Sequence, residues 1–204
     1  MKQEARRAEV AALGVSRETE ERLEAFVALL QTWSPRLNLI SRHDLHSIWP
    51  RHIVDSLQLG PLIASEASRA IDLGAGAGFP GLIVAVATNI PFHLIESDLR
   101  KAAFLREAAR VTGAPATIHA TRIESVQLPP APLVTARALA PLNRLLPLAA
   151  PFLTANGECL FLKGAQVEAE LAEARQHWHM VVDRHESRTS ADATILRIRD
   201  LRHV

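Results

Sequence analysis

Cysteine is nearly absent: Cys159 stands alone among 204 residues. That excludes a disulfide framework and a cysteine-ligated metal cluster, and it fits a cytoplasmic protein. Tyrosine is missing altogether, which removes the phenol from the acids available for catalysis. Lysine occurs only as Lys2, Lys101 and Lys163, and the other twenty cations are arginine. Genome composition is the first explanation of that bias, although the planar arginine fork also suits phosphate and guanine. Neither sign of charge dominates, since 23 basic residues face 22 acidic ones, and bulk charge therefore selects no polyanion. No apolar run approaches the ~20 residues that a membrane span needs. Met1 to Val10 is charged and carries no apolar signal core. The nine histidines are scattered, and His177, His179 and His185 match no metal spacing, so no metal is expected.

What is present is ordinary globular composition, 48% hydrophobic and 22% charged, in a chain long enough for one sizeable core. No internal repeat, low-complexity segment or linker interrupts it. Two regions differ in rhythm. Residues 1–65 read as a helical extension packed on the core. Ser16 can cap a helix with Glu18, Glu20 and Glu21 in its first turn. Leu23, Phe26, Val27, Leu30 and Trp33 share one face of it, and Pro35 is expected to stop it. Ser41 and Asp44 can form a capping box, and Pro50 starts a further helix that Gly60-Pro61 ends. From residue 66 to 204, strands and helices alternate, which implies a mainly parallel sheet. Strands are expected at 70–73, 92–96, 115–119, 133–136 and 158–162, with helices at 80–88, 98–112, 141–153 and 165–177. A closing hairpin follows, about 179–185 and 193–199.

The stretch from Ala70 to Gly81 organises the rest. A short apolar run ends in Gly74, Gly76 and Gly78, and Pro80 then opens an apolar helix. Free N–H groups at such a helix start can hold a polar ligand. The second strand ends in Glu96, twenty residues after Gly76, where a carboxylate suits a ribose diol. Two cofactors fit. Gly76, Gly78 and Gly81 satisfy the dinucleotide spacing, although that frame starts two residues beyond the end of the strand. The frame from Gly74 reads G-x-G-x-G with Asp72 two residues earlier. It looks like motif I of S-adenosylmethionine-dependent methyltransferases, and seven strands with a terminal hairpin is the layout of their class I fold.

Further motifs in order narrow the resemblance. They are Trp33 with Asn38-Leu39, then Arg51-His52-Ile53-Val54-Asp55-Ser56-Leu57, the turn from Asp72 to Gly81, and Glu96-Ser97-Asp98 with Arg100-Lys101 and Phe104-Leu105. Arg122-Ile123-Glu124, Ala136-Arg137-Ala138 and Leu162-Lys163-Gly164 complete the set. From about Leu29 to Gly164 the chain resembles the glucose-inhibited division protein B family. These are bacterial methyltransferases that modify guanine N7 in 16S ribosomal RNA. Ser34 departs from the family, which often has Asn after the Trp.

The resemblance implies S-adenosylmethionine as cofactor and 16S ribosomal RNA, or the small ribosomal subunit, as partner. It implies Gly74 and Phe79 at the methionine and sulfonium end and Glu96 toward the ribose, with Asp72, Gly76 and Gly78 also among the cofactor-binding residues. Ile123 and Glu124 would flank the adenine, though Glu124 could equally cap a loop. Arg137 would act at the methyl acceptor or at the cofactor carboxylate. Asn38, Arg51, His52 and Asp55 would wall the substrate pocket, with plain packing as the alternative. Arg100, Lys101 and Lys163 would face RNA, and Arg137 and Lys163 would position substrate. Guanine N7 carries a lone pair and no proton, so no general base is assigned. The chain is expected to act as a monomer. A nicotinamide-dependent oxidoreductase lacks a hydride-transfer acid here. A non-catalytic RNA-binding module leaves the intact turn and both acidic strand ends unexplained.

Overall fold

In the computed structural model, Arg7, Ala8 and residues 10–204 are described; most of the charged Met1–Val10 segment lies outside them. A long helix, α1 (Arg17–Leu37), leads. Its cap is Ser16, whose hydroxyl accepts from the Thr19 N–H at 3.1 Å. Pro35 does not stop it. A proline near a C-terminus forfeits only one ladder bond, and α1 ends two residues later at Leu37, capped by Asn38 in the left-handed region at φ 49°. The Asn38 N–H donates to the Ser34 carbonyl at 3.0 Å.

Ser41 and Asp44 do pair, the serine hydroxyl donating to Oδ2 at 2.8 Å. They open only a 3-10 turn, Asp44–His46. A π-helical turn, Trp49–Val54, then runs into a single α-turn, Asp55–Leu57.

The remainder alternates as β1 (Ala70–Leu73), α2 (Gly81–Thr88), β2 (Phe92–Ile95), α3 (Leu99–Thr112), β3 (Ala116–His119) and β4 (Ala131–Arg137). It continues through α4 (Leu142–Ala149), β5 (Leu153–Lys163), α5 (Val167–Ala174), β6 (Trp178–Glu186) and β7 (Thr194–His203). These form one seven-stranded sheet in the order β3-β2-β1-β4-β5-β7-β6, and only β7 runs antiparallel to its neighbours. The central strands are apolar on both faces because helices cover both. On one face α1, α2 and α3 pack through Phe26, Leu82, Phe104 and Leu105. On the other α4 and α5 pack through Leu145, Leu146 and Leu171 against Ile71, Val134 and Phe161.

The N-terminal helical segment shares the first of these cores. Phe26 meets Phe79 edge-on at 5.6 Å and Phe104 at 6.0 Å. Arg22 reaches from α1 to the Thr112, Gly113 and Val86 carbonyls at 2.5, 3.0 and 3.4 Å. It thereby caps the carboxyl end of α3, where a cation also meets the helix dipole.

Strand β5 begins at Leu153, five residues before its expected start at Glu158. Thr154, Ala155 and Asn156 are exposed and give no alternation to read, and the register with β4 shifts between Ala131 and Leu133. Helix α4 is correspondingly shorter than the sequence suggests, ending in a 3-10 turn at Ala150–Phe152.

Strand order reverses between β1 and β4, both of which grow from the middle of the sheet in opposite directions. The carboxyl ends of these strands open a crevice there, the place where such sheets bind ligands.

Candidate active site

The turn after β1 builds the floor of the crevice. Gly74 stands at φ +65°, and a Cβ there would lie 2.6 Å from Leu139 Cδ1, so a side chain is opposed by backbone and neighbour alike. Gly81 is required for a different reason: its Cβ would meet that of Asp72 at 2.5 Å. That close approach lets the Gly81 N–H donate to Asp72 Oδ2 at 3.2 Å, while Thr135 donates to Oδ1 at 2.6 Å. Asp72 is fully buried. Burial pushes its carboxyl up to about 7. It therefore holds the turn from beneath and does not face the crevice. Gly78 likewise packs inward, against Leu82 and Leu105.

A cavity of about 730 Å³ lies above this turn. Gly74, Gly76, Phe79, Glu96, Ile123, Glu124, Arg137 and Lys101 all reach it. Glu96 is oriented by backbone donors, Gly76 N–H to Oε2 at 2.9 Å and Asp98 N–H to Oε1 at 2.7 Å. Each oxygen keeps a lone pair for a hydroxyl. Ile123 and Glu124 arrive on a 3-10 turn, Ile123–Ser125, just past β3. The sequence reading missed Leu139, Arg144 and Leu148, which close the cavity from the β4–α4 side. Only proximity to the end of β4 could have marked them.

A second cavity, about 760 Å³, lies across the segment that follows β4. The two share His52, Arg137, Ala138, Leu139 and Ala140 as a wall. Arg51, Asp55 and Lys163 line the second cavity. Arg137 is held on several sides: Nη1 donates to the Arg51 carbonyl at 3.1 Å and pairs with Asp55 Oδ2 at 3.0 Å. Its Nη2 donates to His52 Nδ1 at 2.6 Å, and the guanidinium stands 4.9 Å over the Phe79 ring. His52 stacks on the same ring at 4.9 Å. Burial, and then the neighbouring Arg137 charge, lower the His52 pKa to about 4. The ring is neutral at pH 7, accepts at Nδ1 from Arg137, and so carries its proton on Nε2, toward Asp44 at 3.6 Å.

Besides Asp72 and Gly78, which the sequence reading placed at the cofactor, three further positions sit differently from that reading. Asn38 reaches neither cavity, because its backbone caps α1; Leu39 and Ile40 beyond it line the first cavity instead. Lys163 is not a free rim cation. Its largely buried Nζ donates to the Ala140 carbonyl at 2.9 Å and pairs with Glu170 at 2.5 Å. Arg100 is exposed beside Asp98 at 3.8 Å and lines neither cavity. Among the described residues, no group of three or more potential ligands could hold a metal, and no helix is long and apolar enough to cross a membrane.

A sheet ordered 3-2-1-4-5-7-6, with a glycine turn after its first strand and an acid closing its second, defines a class I S-adenosylmethionine-dependent methyltransferase. Solved structures agree on the fold. M. jannaschii TYW2 in complex with AdoMet has a TM-score of 0.58 at 12% identity, covering 81% of this chain and 78% of that one. TrmI, a tRNA (m1A58) methyltransferase from Aquifex aeolicus, has a TM-score of 0.52 at 14% identity, covering 73% and 66%. The family described as rRNA small subunit methyltransferase G matches residues 19–198, and the chain belongs to that family. Relatives named ribosomal RNA small subunit methyltransferase G are similar over nearly the whole chain. The one from Rhodospirillum centenum is 53% identical over 191 residues, 94% of this chain and 88% of its own. The one from Gluconobacter oxydans is 54% identical over 190 residues, 93% and 98%.

Proposed function

We propose that this protein transfers a methyl group from S-adenosylmethionine to N7 of a guanine in 16S ribosomal RNA. One observation carries the reading beyond family membership. Two cavities meet across a single wall at the sheet's reversal point, so a cofactor and an acceptor base can lie side by side.

The first cavity suits the cofactor. Gly74 and Phe79 bound its methionine end, Glu96 offers free lone pairs to a ribose diol, and Ile123 gives an adenine an apolar face beside Glu124. When bound, S-adenosylmethionine supplies a methyl group on a positively charged sulfur. The chain's own part is orientation and exclusion of water, since guanine N7 has a lone pair ready and no proton to remove. Leu139 gives the shared wall apolar surface, and Phe79 backs it from the cofactor side, stacked on His52 and beneath the Arg137 guanidinium. Arg137, fixed by Asp55 and His52, positions the acceptor from that wall, and Lys163 supports it by holding the Ala140 carbonyl. Arg51, His52 and Asp55 wall the acceptor cavity.

Arg100 and Lys101, at the start of α3, are the cations best placed to meet RNA phosphate. In a paired RNA helix the N7 edge lies in the deep major groove, so the acceptor is a guanine that is unpaired or splayed out. The chain works in the cytoplasm as a monomer, with residues 10–65 of its N-terminal segment (1–65) packed on a methyltransferase domain of residues 66–204. Incubating unmodified 16S RNA or small subunits with labelled cofactor, then identifying the labelled nucleoside, tests this. Label in 7-methylguanosine is expected; label on ribose, cytosine or protein overturns it.

A further inference from the structure

Three cations line the acceptor cavity, and each has its own carboxylate. Arg137 pairs with Asp55 at 3.0 Å, Lys163 with Glu170 at 2.5 Å, and Arg51 with Asp44 at 3.1 Å. The remaining titratable group on this wall, His52, is uncharged at pH 7. Arg51 is exposed and screened, whereas the other two pairs lie largely within the protein, where charge acts over longer range. A cavity built only to attract an RNA phosphate would leave such cations unpaired.

From this pairing we infer that the acceptor cavity is kept electrically neutral so that positive charge can enter it, with Glu170 as the positioning residue that cancels Lys163. The inference rests on guanine N7 being the acceptor. In that transfer the N7 lone pair forms the new N–C bond, the C–S bond breaks, and its electron pair stays on sulfur. Positive charge leaves the sulfur and appears on the purine, and no proton moves. An unpaired ammonium in the wall of the base cavity would oppose this step and repel its product. Glu170 is well fixed for the task. Its Oε2 also accepts from the Leu142 N–H at 2.8 Å, which anchors it at the start of α4. Glutamine at this position keeps the shape and one acceptor oxygen, enough for the Leu142 N–H and Lys163 contacts that share Oε2, and removes the charge.

The test uses the full-length chain with S-adenosylhomocysteine present. Binding of GMP and of 7-methyl-GMP is measured at mildly acidic pH, where the methylated base is cationic. Glu170→Gln is expected to weaken 7-methyl-GMP by about tenfold or more relative to GMP, because the Lys163 charge in the cavity wall is then uncancelled. Lys163→Gln, which leaves the carboxylate in excess, is expected to shift the ratio the opposite way. The double variant Glu170→Gln/Lys163→Gln should restore the wild-type ratio. Single-turnover methylation of unmodified 16S RNA should follow the same order. Loss of packing alone would move both single variants in one direction, and that result, or an unchanged ratio, overturns the inference. Failure of the wild-type protein to label guanine N7 would instead remove the reading beneath it.

Discussion

Two titrating side chains at the base of the site oppose each other. Asp72 has its folded pKa raised to about 7 from 3.8. The stability it contributes is complete below pH 3.8 and drains as pH rises through about 7. His52 has its folded pKa lowered to about 4 from 6.5. Its contribution is complete above 6.5 and drains as pH falls toward 4. The wild-type profile mixes the two, so substitution must separate them. Asp72→Asn keeps the shape and cannot ionise. Urea unfolding at several pH values should show the advantage of wild type over this variant shrinking between pH 4 and 7; a constant difference would refute it. A second residue-scale expectation concerns Ala138, which sits at φ 50° in the shared wall. A non-glycine residue there is strained by about 1 kcal/mol. Ala138→Gly should raise stability by up to about 1 kcal/mol and lower the rate of methyl transfer, because the wall that Arg137 and Leu139 depend on becomes slack. Unchanged turnover with raised stability would show that rigidity in this segment has no role in transfer.

At the scale of elements, α1 is joined to the methyltransferase core by an apolar face and by one arginine. Arg22 satisfies carbonyls at the end of α3 and in α2, two of them part-buried and that of Gly113 exposed. Arg22→Ala should cost about 2 kcal/mol in denaturant unfolding, since several charge-assisted bonds disappear together. Arg17→Ala, which removes only an exposed pair with Glu21 at 3.3 Å, should stay within about 0.5 kcal/mol. Equal effects would show that the Arg22 contacts contribute nothing particular. The apolar face of α1 was legible in the spacing of Leu23, Phe26, Val27 and Leu30, because helical periodicity is a local signal. The arginine's partners were not, since Thr112 and Gly113 lie some ninety residues away and present only backbone oxygen. Element ends followed the same division: Asp98 and Gly113 cap α3 as their local chemistry demands, with two backbone N–H groups reaching Asp98 Oδ1. The extension of β5 back to Leu153 depends on pairing with β4, which its exposed residues do not announce.

At the scale of the whole molecule, ligand binding should stabilise the chain by mass action. S-adenosylmethionine at about a hundred times its Kd should add about 2.7 kcal/mol, seen as a raised Tm, whereas NAD should add nothing. Gly74→Val should abolish the S-adenosylmethionine shift, because the side chain both opposes φ +65° and drives Leu139 into the cavity. An equal shift with the variant would displace the cofactor from this turn. By itself the sequence determined the sheet's class, the glycine turn, Glu96 at the second strand end and the family. All of these rest on short-range patterns of hydrophobicity, backbone freedom and motif order that survive without coordinates. Only the tertiary structure decided which side chains face which way. It turned Asp72 beneath the turn, gave Asn38 to a helix cap, and took Lys163 and Arg137 out of solvent into pairs with Glu170 and Asp55. It also divided the crevice into two cavities with a common wall. The reason is that a charge finds its partner through space: Asp55 and Arg137, or Lys163 and Glu170, meet only after the sheet and its helices have closed.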